Sequence, residues 1–407
     1  MATINPEFGN LPAAYLFSEI AKRTREFQAQ NPEVEVMRLG IGNTTEPLTP
    51  RTLDGLRLGV EKLARVETYT GYGDEQGDAR LREALAQWYQ QKGLRVQPQE
   101  VFISDGAKTD SANVSSIFGQ DNVKAVQNPV YPVYVDSNII TGRAGRLTDG
   151  VHDGLVYMRG TEENGFVSSP PQIKADLIFL CYPNNPTGAV ATKHQLAEFV
   201  DYARTHKSVI IFDAAYSAYV SDPNLPRSIY EIEGARECAI EINSFSKWAG
   251  FTGVRLGWTV VPTDLVVEDT VPGQLNAAWN RRQTTMFNGA SNIAQEGGLA
   301  VLTEEGQKEC QGLVGYYMES THIIRQALED LGIRTFGGVN APYVWMRTPN
   351  GLNSWDFFNK LLSEAHVVGT PGVGFGPGGE GYFRLAGFGH RENIIRATES
   401  IRQSLKI

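Results

Sequence analysis

The chain has 407 residues, 41% of them hydrophobic and 20% charged, with a formal net charge of -9 at pH 7. That length and apolar content fill a sizeable core in one large or two ordinary domains, while the acidic balance offers no broad basic surface and argues against nucleic acid as a partner. Cys181, Cys238 and Cys310 are too few and too scattered for a disulfide framework, and no histidines cluster beside them, so the expected setting is reducing and cytoplasmic, with no metal site.

The first thirty residues lack a basic stretch followed by an apolar one, and nowhere do eighteen apolar residues run together, so neither an export nor a membrane segment is expected. A plastid protein without its transit peptide would read the same. In chain order, "EVMRLGIGN" reads as an early strand that joins the C-terminal part of the molecule. "VFIS" (101–104), "KAVQ" (124–127), "DLIFLCY" (176–182), "VIIFDAAY" (209–216), "CAIEINSF" (238–245) and "RLGWTVVP" (255–262) then read as buried strands. In "HQLAEFVDYART", Leu196, Phe199, Val200 and Ala203 recur at helical spacing. Strands alternating with helices predict an α/β domain with a mostly parallel sheet covered on both faces. After it come a helical tract at roughly 291–331, "APYVWMR", a helix over "SWDFFNKLLSEA", a strand in "GYFRLAG" and a closing helix from about 391, the pattern of a smaller α+β domain. The expected division is an N-terminal arm and first small-domain segment (1–46), a large domain (47–290) and a C-terminal small domain (291–407). The glycine cluster "GVGFGPGGEG" (372–381) has no Lys-Ser/Thr ending and is expected to be a mobile surface loop between two strands.

Open α/β sheets bind ligands beyond the carboxyl ends of their strands. There the sequence places "DGAK", a turn opening a helix; "PNNPTG", rich in amides; Asp213, with Tyr216 three residues on; and Ser246-Lys247. A lysine beside hydroxyls and an arginine can be held partly neutral and form a Schiff base with an aldehyde. A carboxylate in the same crevice can keep a pyridine nitrogen protonated, and serines, an arginine and a helix start suit a dianionic phosphate. Taken singly, each stretch is a common turn, cap or solvated loop. An aldehyde, a pyridine and a phosphate together describe pyridoxal 5'-phosphate.

The combination of "YPNNPTGAV", "IIFDAAYSAY" and "NSFSKWAGFTGVRLGW" resembles the class I/II, fold-type I pyridoxal phosphate aminotransferases. Within that family, "GYGDEQG" and "DAAYSAYVSDPNLP" are similar to the subgroup that acts on LL-diaminopimelate, and the similarity runs along nearly the whole chain. The resemblance implies a mostly parallel, seven-stranded type of sheet and assigns roles to individual residues. Lys247 is the lysine that bonds the cofactor and moves the proton; Asp213 pairs with the ring nitrogen; Asn185 and Tyr216 donate to the phenolic oxygen; Tyr131 stacks on the ring. Ala107, Lys108, Ser244, Ser246 and Arg255 form the phosphate cup, with Tyr72 reaching in from a partner subunit. Arg384 grips the substrate carboxylate, and Tyr15, Gly42, Glu75, Lys108, Tyr131, Asn185 and Asn288 line the rest of the cofactor and substrate pocket, some from the neighbouring chain, with Glu75 facing a distal ammonium. The implied partners are small amino and keto acids and a second copy of the chain in a homodimer with shared sites. One departure is Trp248-Ala249, where relatives often carry proline or another residue.

Overall fold

The computed structural model describes residues 1–11, 16–40, 42–148 and 150–406. Seven strands form its largest sheet: β1 (Val101–Ser104), β2 (Lys124–Asn128), β3 (Leu155–Arg159), β4 (Leu177–Cys181), β5 (Val209–Asp213), β6 (Ala239–Ser244) and β7 (Gly257–Val260). The order across the sheet is β1-β7-β6-β5-β4-β2-β3, and only β7 runs antiparallel to its neighbours. β2, β4, β5 and β6 are buried at every residue, as strands must be when helices cover both faces of a sheet. β3 sits at the edge, is only partly buried, and was not among the predicted strands, although "LVYM" is as apolar as the central ones.

Helices α1 (Leu16–Gln30), α2 (Pro50–Leu63), α3 (Ala79–Gln90), α4 (Ala107–Asn113), α5 (Val133–Ile140) and α6 (Lys193–His206) precede α7 (Gln274–Met286), α8 (Asn292–Leu302), α9 (Glu304–Asp330), α10 (Ser354–Ala365) and α11 (Arg391–Ser404). α6 starts at a reciprocal cap, in which Thr192 Oγ1 accepts from the Gln195 amide at 3.2 Å and Gln195 Oε1 accepts from the Thr192 amide at 2.9 Å. It buries Leu196, Phe199, Val200 and Ala203, the predicted face. The helical tract expected at 291–331 is broken at Thr303, whose backbone is extended (φ -65°, ψ 158°) and whose hydroxyl accepts from the Gly306 amide at 3.1 Å. A threonine that can cap a new helix competes with continuing the old one.

A second, antiparallel sheet runs β8 (Thr335–Gly337), β9 (Tyr343–Arg347), β11 (Tyr382–Ala386), β10 (Thr370–Pro371). Met37–Arg38 lies parallel to Val367–Val368 beside it. Phe166, from the connection after β3, is buried in this second core, edge-on to Phe336 at 4.9 Å and to Tyr382 at 5.3 Å, and so ties the two sheets together. The glycine cluster at 372–381 does lie between two strands, but it is docked rather than a free surface loop. Gly372, Phe375 and Gly379 are buried, the Phe375 carbonyl accepts from the Val130 amide at 2.9 Å, and the Gly378 amide donates to Asn128 Oδ1 at 2.9 Å. Its backbone groups find partners at the end of β2, which is why it is not mobile surface.

Candidate active site

β1, β4, β5 and β6 end at Ser104, Cys181, Asp213 and Ser244, and a cavity of about 360 Å³ opens beyond these ends. Gly42, Ala107, Lys108, Tyr131, Asn185, Asp213, Tyr216, Ser244, Ser246, Lys247, Arg255 and Arg384 all line it. Residues up to 344 positions apart in sequence thus meet, as when the Arg384 guanidinium donates to the Gly40 carbonyl at 2.8 Å.

One end of the cavity is cationic and rich in donors. Gly257 faces Ser104 on one side and Ser244 on the other, and a side chain there would meet the backbone of Gly106 at 2.8 Å. Only a bare backbone lets the start of α4 approach β7 this closely. A Cβ on Gly106 would lie 2.3 Å from Arg255 Nη2, so the guanidinium rests directly against the turn that opens α4. Arg255 itself has φ 71°, a conformation sparsely populated for a residue with a side chain, which is often found at functional positions. Its Nη1 donates to Ser246 Oγ at 3.3 Å, and Ser244 Oγ accepts from the Ser246 amide at 3.0 Å. Arginine, two hydroxyls and the first-turn amides of α4 make a donor set matched to a phosphate.

The floor is acidic. Asp213 is 7% exposed and burial raises its pKa, against which work the Tyr134 hydroxyl, donating to Oδ2 at 2.5 Å, and the Ala215 amide, donating to Oδ1 at 2.9 Å. Lys247 follows β6 and donates to the carbonyl of Gly42. Burial first, and then the positive charges of Arg384 and Arg255, bring its pKa down to about 8, so a large share of it is neutral near pH 8.

Arg384 closes the other end. It is 1% exposed, with Nη1 donating to Asn185 Oδ1 at 2.6 Å and its guanidinium between the Tyr343 ring at 4.5 Å and the Phe375 ring at 4.9 Å. Because a guanidinium can only donate, Asn185 must present its carbonyl to Arg384, and its NH₂ is directed elsewhere. Tyr216 and Tyr343 share a hydroxyl–hydroxyl hydrogen bond of 2.7 Å.

The family described as aminotransferase class I and II matches residues 34–401. The chain belongs to the class I and II aminotransferases. It is 46% identical to the LL-diaminopimelate aminotransferase of Chlamydomonas reinhardtii over 99% of this chain and 98% of that one, with a TM-score of 0.94. An aromatic aminotransferase of Pyrococcus horikoshii is 25% identical over 93% of this chain and 98% of that one, with a TM-score of 0.79. A double mutant of Thermus thermophilus aspartate aminotransferase, 21% identical over 99% of this chain and 100% of that one at a TM-score of 0.85, shares the fold.

Three residues predicted for this aminotransferase's site lie outside the cavity lining. Tyr72 is 88% exposed, Asn288 is exposed and Glu75 half-buried. They occupy one neighbourhood: the Gly289 position abuts the Asp74 carbonyl, and Asn292 Nδ2 donates to Thr70 Oγ1 at 3.0 Å and to the Gly71 carbonyl at 3.1 Å. Tyr15 lies outside the described residues. The cavity also includes Phe17, Asn43, Tyr134, Cys181 and Tyr343, which sequence reasoning missed. Tyr134 and Tyr343 read as core aromatics within a helix and a strand. The one available signal was position, since Tyr134 stands three residues after Tyr131, which lies just before α5. Among the described residues, no group of three or more His, Cys, Asp or Glu is placed to hold a metal ion, and no helix is long and apolar enough to cross a membrane.

Proposed function

We propose that this aminotransferase exchanges an amino group between LL-2,6-diaminopimelate and 2-oxoglutarate, yielding tetrahydrodipicolinate and L-glutamate, with pyridoxal 5'-phosphate as cofactor in a homodimer. The family is generally dependent on this cofactor, and the residues fit it. Arg255, Ser244, Ser246 and the amides of Ala107 and Lys108 would hold its phosphate, Asp213 its ring nitrogen, Asn185 and Tyr216 its phenolic oxygen, Tyr131 its ring face and Lys247 its aldehyde. When bound, the cofactor supplies an aldehyde that bonds amines and a cationic ring that draws electrons from the Cα–H bond.

The chain's own residues supply the rest. Arg384 binds the α-carboxylate with two parallel N–H bonds and so orients the Cα–H bond. Lys247, its amine partly neutral, takes the proton from Cα and returns it on the other side of the transfer. Asp213 would face the ring nitrogen and keep a proton there. Tyr131, Tyr343 and Phe17 give the cavity aromatic walls beside the reacting atoms. Lys108 and Glu75 would anchor the distal carboxylate and ammonium.

The observation that carries the chemistry is the half-buried Lys247 sharing the Asp213 crevice with the guanidiniums of Arg384 and Arg255. The 46% identity along 99% of the chain favours the substrate. A partner subunit is supported by Tyr72, Tyr69, Val66 and Leu58, large side chains that are exposed along one stretch, together with Met286 at the end of α7. The test is to offer the purified protein LL- and meso-diaminopimelate separately with 2-oxoglutarate, alongside aspartate and tyrosine, and compare initial rates. The LL isomer is expected to give the highest kcat/KM; a large margin in favour of aspartate or tyrosine would overturn the substrate.

A further inference from the structure

Beneath the ring-binding part of the cavity lies a hydroxyl that the reaction as described does not use. Tyr134 is 1% exposed, its ring stacks on Phe179 at 5.8 Å and stands edge-on to Tyr131 at 5.9 Å, and its oxygen is 2.5 Å from Asp213 Oδ2. A phenol facing a carboxylate at this distance is the donor. The second carboxylate oxygen accepts from the Ala215 amide, so among the described residues Tyr134 is the side-chain donor to Asp213. The Cys181 thiol, opposite Asp213 in the sheet register, borders the same hydroxyl without competing strongly for it, since a thiol is a weak hydrogen-bonding group.

We propose that Tyr134 is a positioning residue that holds Asp213 as an oriented anion and thereby keeps a proton on the ring nitrogen of the bound cofactor. The inference rests on the reading of Asp213 as the partner of that nitrogen. A single proton is distributed between the carboxylate and the ring nitrogen. A donor to the carboxylate stabilises the anion and leaves the proton on the ring; without that donor, the buried carboxylate recovers the proton and the ring becomes neutral. The start of α5 and the residues just before it would therefore serve the cofactor twice, with Tyr131 on the ring face and Tyr134 through Asp213.

The experiment compares wild type with Tyr134→Phe, which keeps the ring against Phe179 and removes only the oxygen, after loading both with pyridoxal phosphate carrying ¹⁵N in its ring. The ¹⁵N shift is followed against pH, and the half-reaction with L-glutamate is measured in single turnover. Wild type is expected to show a protonated nitrogen through neutral pH, whereas Tyr134→Phe shows the neutral signal growing in at a pH lower by at least one unit, which corresponds to about tenfold in the proton distribution. The half-reaction slows by about tenfold or more while the affinity for glutamate changes by less than about twofold, as expected when a step after binding is impaired. In an Asp213→Asn background, the same substitution adds no further slowing. Identical ¹⁵N titrations, or equal slowing in both backgrounds, would overturn the proposal. Should Tyr134→Phe not fold, Tyr134→His, which keeps a donor, is expected to retain the protonated signal, and its loss would count against the proposal. A wild type that takes up none of the labelled cofactor would overturn the cofactor reading and this inference together.

Discussion

The crevice floor and the exposed segment around Tyr72 and Glu75 hold two halves of one predicted site, yet the fold treats them differently. Lys247, Asp213, Asn185, Arg255 and Arg384 line one cavity and are fixed by hydrogen bonds within the chain. Tyr72 stands 88% exposed with no place in that cavity. The floor is built on strand ends, where the backbone ladder fixes position before any ligand arrives; the exposed segment has a turn-rich backbone and large side chains at the surface of the chain. The residues proposed for the chemistry thus share one cavity within the single chain, while Glu75, proposed for the far end of the substrate, stands outside it.

The contrast can be broken most severely at Lys247. Lys247→Ala is expected to fold and to lose transamination by about a thousandfold or more, the range set by removing a positioned proton carrier. Retention of near-wild-type turnover would remove the floor from the chemistry. Mixing this variant with Glu75→Ala tests both halves at once: with random exchange of subunits about a quarter of the sites would carry both intact residues, if each site draws Glu75 from its partner. No recovery of activity above the two parents would place Glu75 and Lys247 on the same chain.

The next effect is on stability in the cofactor-free protein. Lys247 has its pKa lowered from 10.5 to about 8, so the folded state binds fewer protons than the unfolded one between those values, and stability rises with pH across that window. Below pH 8 the penalty for burying the charge is fully present, on the order of 3 kcal/mol from the size of the shift. Lys247→Met lacks it, so the difference in urea midpoint between variant and wild type should favour the variant at pH 7.5 and close as the pH approaches 10.5. A difference that does not vary with pH would show that the amine is not desolvated.

Arg384→Lys removes one of two parallel N–H bonds and should raise KM for amino acids by about thirtyfold, near 2 kcal/mol for a charge-assisted bond. An unchanged KM would move the carboxylate elsewhere. Glu75→Gln gives the smallest change: about a tenfold fall in kcat/KM for LL-diaminopimelate, with glutamate unaffected because it has no distal ammonium. Equal losses for both substrates would make Glu75 structural.

The same contrast explains what could be read in advance. β5 is a continuous apolar run ending in Asp213, β4 is an apolar run with Asn185 four residues beyond it, and β6 leads straight through Ser244 to Ser246-Lys247, so both the strands and the chemistry at their tips are visible in one dimension. β3 is not among the expected strands although "LVYM" is apolar, since no polar group of the site follows it to draw attention to its end. Tyr134 and Tyr343 escape for another reason: their rings pack as core residues do, and only their oxygens, at 2.5 Å from Asp213 and 2.7 Å from Tyr216, act on the site. An aromatic residue that is core by its ring and functional by its oxygen looks like core alone. The break at Thr303 was hidden because apolar periodicity carries across it while a hydroxyl cap ends one helix and starts the next.

The guanidinium of Arg384 reaches the carbonyl of Gly40, the amide of Asn185 and the hydroxyl of Thr370, three points spread across almost the entire chain. A nascent polypeptide emerging from the ribosome could therefore assemble its lysine and aspartate long before it acquires any grip on an amino acid. Catalysis would switch on only when the last tenth of the chain has been made and has closed over the first.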